Sequence, residues 1–266
     1  VTKNTLIVAI SQSGETMDTL MAVRYAKELG AKVLAICNTQ GATLARESDA
    51  VIYTHAGPEV AVASTKALTA QITAGYLLGL FLASIRGAVP AAELKRVGLD
   101  LLKMPGRVSQ VIAGLEQAQR LGTAMADAKS VLFLGRNVGF PVAMEGALKL
   151  KELAYIHAEG FAAGELKHGP IALIEEGQPV IVIVPSPRDE ESLHPKVISN
   201  IQEIRARGAK VIAIAEEGDN QVSSYAENVI FVPECEPLLA AILTVIPLQT
   251  FALALSTAKG LDVDQP

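Results

Sequence analysis

Cysteine and histidine are scarce in this chain, with two of the first and four of the second among 266 residues. Cys37 and Cys235 show neither a CxxC nor a Cys/His spacing. Each ends or follows an apolar strand-like run, so both read as buried or half-buried free thiols suited to a reducing cytosol. The histidines, scattered and without HxxxH or HxH spacing, offer no metal constellation. Charge is also sparse, at 19% Asp, Glu, Lys and Arg, and there is no Lys/Arg run. With a net charge of −5, that argues against nucleic acid or an anionic membrane as partner, though a local basic pocket for a phosphate is compatible with it. No charged-then-apolar-then-small leader opens the chain. No clean apolar run of about 20 residues occurs either. Ala67–Ser84 contains Thr69, Gln71 and Thr73, and Pro237–Ser256 is interrupted by Pro247 and Gln249. Both are expected to be buried core helices and not membrane spans.

Half of the residues are apolar, which excludes disordered and fibrous classes. A chain of this length buries roughly 70–75% of its unfolded surface and forms one large or two medium domains. Short β-branched runs alternate with helical stretches: Leu6–Ile10, Val33–Ile36, Val51–Tyr53, Val131–Leu134, Val180–Val184, Val211–Ile214 and Val229–Val232. These are continuous rather than alternating, the pattern of strands covered on both faces. With helices between them, they indicate βαβ units and a mostly parallel, doubly wound sheet.

The chain also repeats itself. Gly30-Ala-Lys-Val-Leu-Ala-Ile36 matches Gly208-Ala-Lys-Val-Ile-Ala-Ile214, an offset of 208 − 30 = 178, and the same offset aligns Val51–Tyr53 with Val229–Phe231. Two copies of an α/β domain follow. The second carries a strand over 131–134, a helix over 141–155 and a loop region over 156–176 that have no counterpart in the first. The first domain (1–90) is therefore expected to be incomplete at its N-terminus, with a helical linker over 91–121 and a second domain over 122–266.

Four segments carry chemistry. Ser11-Gln-Ser-Gly-Glu-Thr16 follows the first strand and opens a helix, so hydroxyls, a close-approach glycine, free N–H groups and a helix dipole converge as a phosphate monoester requires. Plain capping by Ser11 or Ser13, with Glu15 in the first turn, is the alternative. The equivalent loop of the second copy, Pro185-Ser-Pro-Arg-Asp-Glu190, is acidic and proline-bound and makes a poor anion cradle. Val62-Ala-Ser-Thr-Lys66 stands before a long apolar helix and reads as a second ligand contact or as another cap. On the helix Pro141–Tyr155, Glu145, Lys149 and Glu152 share one face of an otherwise apolar cylinder. That suits proton transfer in a half-buried cleft or a structural ion pair. His168, in Lys167-His-Gly-Pro170, is read on a loop where an imidazole can titrate and reach a ligand. A lone loop histidine is also often incidental.

Ser11-Gln-Ser-Gly-Glu-Thr16, Val62-Ala-Ser-Thr-Lys66, Glu145-Gly-Ala-Leu-Lys-Leu-Lys-Glu152, Tyr155-Ile-His-Ala-Glu159 and Gly164-Glu-Leu-Lys-His-Gly-Pro170 together resemble the glucosamine-6-phosphate synthases. These are also called glutamine–fructose-6-phosphate aminotransferases (isomerising), and their isomerase half consists of two flavodoxin-like SIS (sugar isomerase) domains. The resemblance runs the length of the chain. It implies that fructose 6-phosphate and glutamine-derived ammonia become glucosamine 6-phosphate, in a cytoplasmic homodimer and without metal or other cofactor. In this resemblance Ser11, Gln12, Ser13 and Thr16 hold the 6-phosphate, and Val62 and Ser64 contact the sugar. Glu152 moves a proton between C1 and C2, with Lys149 and Glu145 close to the sugar hydroxyls. His168 assists ring opening from a neighbouring subunit. The family's glutaminase domain, a Cys-Gly-Thr-Ser-type loop expected before Val1 and a Schiff-base lysine expected after Pro266 are not in this sequence. Glutamine-dependent synthesis by this chain alone is accordingly not expected. A stand-alone phosphosugar isomerase or deglycase of the same fold, and a SIS module that senses a phosphosugar, are the competing readings.

Overall fold

A computed structural model describes residues 1–188 and 193–265. The chain divides into two compact units, Val1–Leu94 and Lys95–Pro266. Among the described residues the first unit has a three-stranded parallel sheet in the order β1-β2-β3, built from Leu6–Ser11, Lys32–Cys37 and Ala50–Tyr53. Its helices are α1 (Met17–Glu28), α2 (Thr43–Glu47) and α3 (Lys66–Ile85). Leu20 and Val23, three residues apart on one face of α1, pack with Ala9, Val33, Ala35 and Leu44 into the unit's core.

The second unit begins with helices α4 (Ala91–Leu101, shared across the division), α5 (Met104–Ala113) and α6 (Glu116–Ala124). The expected linker is thus helical, and from Lys95 onward it groups with the second unit. Then follow β4 (Ser130–Gly135), α7 (Gly139–Ala154), β5 (His157–Ala162), β6 (Pro179–Ile183), α8 (His194–Arg205), β7 (Lys210–Glu216), β8 (Asn228–Val232) and α9 (Ala240–Ala258). The strands, all parallel, lie in the order β5-β4-β6-β7-β8. That is the doubly wound flavodoxin-like arrangement. The register also carries the duplication: Leu34 of β2 pairs with Ala50 of β3, and their equivalents Ile212 of β7 and Asn228 of β8 pair with each other.

Three expectations need correction. The segment 156–176, read as loop, contains β5 and two 3₁₀ turns, Ala163–His168 and Pro170–Leu173. His-Ala-Glu-Gly-Phe-Ala has no apolar run, and its strand conformation comes from pairing with the edge of β4. His168 therefore closes a 3₁₀ turn instead of lying on an open loop. Burial was also over-read in the first unit. β4, β6 and β7 are buried along nearly their whole length, but Leu6, Val8 and Ile10 on one face of β1 remain 46%, 39% and 51% exposed. α3 buries only Ala67 and Ala74, leaving Leu77, Phe81 and Ile85 exposed. An apolar sequence predicts burial only where a partner surface exists, and a three-stranded sheet offers little of it. Lys66–Ile85 and Pro237–Ala258 are both long and apolar enough to cross a membrane by length and composition alone, and the second is mostly buried within the chain.

α9 is the central core helix of the second unit. It buries Leu243, Val245, Phe251, Ala252 and Leu255, and keeps its course through Pro247. α6 approaches it so closely that a Cβ at Gly122 would overlap the carbonyl oxygen of Phe251 and stand 3.1 Å from the Ala254 Cβ. Alanine gains helix propensity at such a position but overpacks a backbone that cannot yield. Gly122→Ala should lower stability by about 1–3 kcal/mol, read as a lower urea midpoint at unchanged slope. A rise in the midpoint would mean the two helices can separate freely.

Candidate active site

The loop after β1 is tied down by its own backbone. Gly14 takes φ +71°, and a Cβ there would meet the Ala42 Cβ at 2.6 Å and the Cys37 Sγ at 2.9 Å, so only glycine fits without displacement. The buried Ser11 Oγ accepts the Gly14 N–H at 2.9 Å, and the Ser13 Oγ accepts the Glu15 N–H at 3.2 Å. With one lone pair committed inward, each hydroxyl keeps its O–H for a ligand. Neither serine caps α1. Glu15, expected in the first turn, stands before it and accepts the Thr43 N–H at 2.8 Å. That bond, helped by the Thr43 side chain, holds the Glu15 carboxyl below its ordinary value. Thr16 occupies the N-cap position but makes no capping bond. Among the described residues no side chain accepts from the first-turn N–H groups of Met17, Asp18 and Thr19. Those donors and the helix dipole are what an anion at this end of α1 would meet.

The second hydroxyl cluster is organised by a residue the motif reading missed. Glu59 accepts from the Ser64 Oγ at 3.0 Å, the Thr65 N–H at 2.8 Å, the Thr65 Oγ1 at 3.2 Å and the Ala67 N–H at 3.4 Å. The cap of α3 is thus Glu59, and Ser64 and Thr65 are among its donors. Burial works to raise the Glu59 carboxyl, but these hydrogen bonds outweigh it and hold the group below its ordinary value. An acid five residues ahead of a Ser-Thr pair was the only trace of this in the sequence. Val62 is exposed and Ser64 half-buried.

In the second unit Glu145, Lys149 and Glu152 are brought together as their spacing predicted. The Lys149 Nζ lies 2.5 Å from Glu152 Oε2 and 3.4 Å from Glu145 Oε1. Only 3% of the lysine side chain is exposed, against 17% for Glu145 and 33% for Glu152. Two carboxylates share one ammonium, leaving a net negative charge with Glu152 on the wetter side. The helix is held on two flanks: a Cβ at Gly146 would meet Leu248 and Phe133, each at 2.8 Å. At its C-terminus the carbonyls of Leu153 and Ala154 accept from Ser256 Oγ and Lys259 Nζ at 2.6 and 2.8 Å. Tyr155 then ends it in the left-handed region, φ 52°.

His168 is exposed, and among the described residues no hydrogen bond or ion pair links it to this triad. His194 is buried against Asp219 at 2.7 Å. Both cysteines are free and buried, and burial pushes the Cys235 thiol up to about 12. Among the described residues no group of three or more His, Cys, Asp or Glu is arranged to hold a metal ion. Residues Asp189 and Glu190 of the expected second-copy loop lie outside the described residues. Arg188 beside them is bound to Glu216 at 2.6 and 2.7 Å, and to Glu234.

The SIS domain family model matches residues 1–80 and 124–259. The glutamine–fructose-6-phosphate aminotransferase (isomerising) of Corynebacterium glutamicum is 67% identical over 99% of this chain, which spans 42% of that protein's length. Among solved structures, the C-terminal domain of glucosamine-fructose-6-phosphate aminotransferase from Francisella tularensis superposes with a TM-score of 0.92. Its identity is 37%, and the match covers 98% of this chain and 73% of that one. Tagatose-6-phosphate ketose/aldose isomerase from Escherichia coli matches at TM-score 0.76 and 21% identity over 97% of this chain and 69% of its own, a likeness of fold alone.

Burial pushes the Glu145 carboxyl above its ordinary 4.5, against the opposing pull of Lys149. The folded chain then holds this proton more tightly than the unfolded chain does. The stability it contributes is complete below pH 4.5 and is lost as the pH rises through the raised folded value. In urea titrations from about pH 4 to pH 7, the parent's midpoint should fall relative to that of Glu145→Gln. Parallel curves for the two proteins would place the shift on another group.

Proposed function

The chain belongs to the SIS domain family, and from that membership we propose that it is the sugar-phosphate isomerase region of a glutamine–fructose-6-phosphate aminotransferase. The observation that carries the reading is the Glu145–Lys149–Glu152 triad on α7. A module that only sensed a phosphosugar would need the loop after β1 but no buried lysine between two carboxylates.

In this reading fructose 6-phosphate anchors its phosphate on the N-terminus of α1. The N–H groups of Met17, Asp18 and Thr19, the Ser11, Ser13 and Thr16 hydroxyls and the Gln12 amide supply the donors. A dianion held by several charge-assisted hydrogen bonds, each worth about 1.5–3 kcal/mol, needs no lysine in the loop. Val62 and Ser64 contact the sugar, with Ser64 kept in place by Glu59. Ammonia adds to C2 of the open-chain ketose and water leaves, giving an imine that acidifies the C1 hydrogens. Glu152 takes a proton from C1 as the imine nitrogen gains one, forming an enolamine, and returns its proton to C2 while the C1 hydroxyl loses a proton, replacing the one the nitrogen gained, and becomes the aldehyde. Lys149 orients Glu152 through their ion pair, and Glu145 balances the lysine while Glu152 carries the transferred proton. The ammonia comes from a glutaminase domain, and the enzyme works in the cytoplasm, where Cys37 and Cys235 stay reduced.

His168 opens the sugar ring from a second subunit of a dimer. Its exposure, and the absence of a hydrogen bond or ion pair to the triad among the described residues, support that role. Sedimentation of the intact enzyme should give a dimer, and inactive Glu152→Gln mixed with inactive His168→Gln should recover part of the parent activity through hybrid sites. No recovery in a demonstrably mixed dimer would put His168 to work within its own subunit.

The central test is proton exchange at C1 of fructose 6-phosphate in D₂O, followed by NMR on the intact enzyme. Glu152→Gln keeps shape and phosphate contacts but removes the base, a loss of about 10²–10⁴-fold, with the substrate dissociation constant little changed. Ser13→Ala combined with Thr16→Ala should do the converse, weakening binding at a nearly preserved rate at saturation. Exchange as fast in Glu152→Gln as in the parent would make that carboxylate only an ion-pair partner of Lys149.

A further inference from the structure

In the second unit the chain turns to β5 on one side of β4 and to β6 on the other, so the loops after β4 and β6 part at the carboxyl edge of the sheet. In doubly wound folds this switch point is where a crevice opens for a ligand. A pocket of about 440 Å³ lies there, within the range of small-molecule sites. It takes in Asn137 from the loop after β4, Ser186 and Arg188 from the loop after β6, and the segment after β8. A smaller apolar recess of about 60 Å³, reaching Val138, Ile183 and Leu193, shares Asn137, Ser186, Pro237 and Leu238 with it. The corresponding edge of the first unit is the loop Ser11–Thr16.

The charges on the wall come in matched pairs. Arg107 donates to Asp100 at 2.9 Å, Arg96 to Glu236 at 2.8 Å, and Arg188, also held by Glu216 at 2.6 and 2.7 Å, is paired with Glu234. Asp100 also accepts the Glu236 N–H at 2.8 Å, which joins the first two pairs into one network. Asp100, Arg107 and Glu236 are largely sheltered from water, while Arg96, Arg188 and Glu234 are the exposed members. Burial works to raise the Asp100 carboxyl, but the bonds from Arg107 and the Glu236 N–H, together with the nearby positive charges, outweigh it and hold the group below its ordinary value. The Cys235 thiol adds a neutral patch. A simple dianion taken up here would draw an arginine away and strand a half-buried carboxylate, and a simple cation would strand an arginine. Leaving one member of such a pair uncompensated is costly. A ligand bearing both signs can exchange with both members of a pair at once.

We propose that this pocket is a second ligand site for a small hydroxylated zwitterion of the amino-sugar phosphate type, with Glu234 meeting its ammonium and Arg188, which keeps Glu216, its anionic group. The proposal stands on the second unit alone and does not depend on the loop after β1 holding a phosphate.

The probe is glucosamine 6-phosphate, with glucose 6-phosphate as the matched compound lacking the ammonium, titrated by calorimetry and by ligand-observed NMR. The protein is this chain carrying Ser13→Ala and Thr16→Ala, so that binding at the first unit is suppressed. Glucosamine 6-phosphate should still bind, about tenfold or more tighter than glucose 6-phosphate. Leu238→Trp, at an exposed position on the pocket rim, should abolish that binding by filling the space. Glu234→Gln should erase the preference for the amine while leaving the weaker binding of glucose 6-phosphate. Unchanged thermal unfolding of both variants would show that the fold is intact. No binding in the loop-suppressed chain, equal binding of the two sugars, or binding indifferent to both Leu238→Trp and Glu234→Gln would overturn the proposal. None of these results bears on proton exchange by Glu152, so the two readings fail separately.

Discussion

The ammonium of Lys149 sits almost wholly out of water between two carboxylates of its own helix, and much of the second unit's architecture answers to that placement. A buried charge is tolerable only when its partners stand within a few tenths of an ångström of contact. A helix supplies that spacing at three and four residues, provided it neither frays nor rotates. α7 is prevented from doing either. Gly146 lets it lie against Phe133 of β4 and Leu248 of α9, and Ser256 and Lys259 hold its last carbonyls. One ammonium cannot neutralise two carboxylates, so burial raises Glu145 while Glu152 retains access to solvent. The chemistry assigned to Glu152 is thus inseparable from the fit of a glycine against a phenylalanine some way up the helix.

What could be read from the sequence was what repeats or what keeps a period. The β-branched runs became strands nearly to the residue, and the offset of 208 − 30 = 178 reappears in the registers of β2 with β3 and β7 with β8. The shared face of Glu145, Lys149 and Glu152 follows from helical spacing alone. The failures share a cause: each element's state is decided by something elsewhere in the chain. β5 is a strand because β4 offers it an edge. α3 is apolar all round and yet exposed, because hydropathy says nothing of how much surface is available to cover it. Glu59 looked like one more loop acid, and only the folded chain brings its carboxylate to Ser64, Thr65 and Ala67.

The two copies show how duplication divides labour. Backbone order and register are retained, while the loops at the carboxyl edges have diverged in their chemistry. The first copy presents hydroxyls and helix N–H groups that no side chain among the described residues caps, which suit a ligand that brings its own charge. The second presents arginines and acids already satisfied by one another. One edge is electrostatically open and the other internally balanced, a difference that side chains alone accomplish on a common frame.

The bonds from Ser256 and Lys259 to the end of α7 span more than a hundred residues of sequence. They make the last turn of α9 a brace for a helix far from it in the sequence. A chain shortened before Ser256 would retain every strand and all of the charged triad, yet lose the acceptor and donor pairs that fix the helix end. The smallest piece of this protein able to hold its acid in place therefore extends well past the last strand of the sheet.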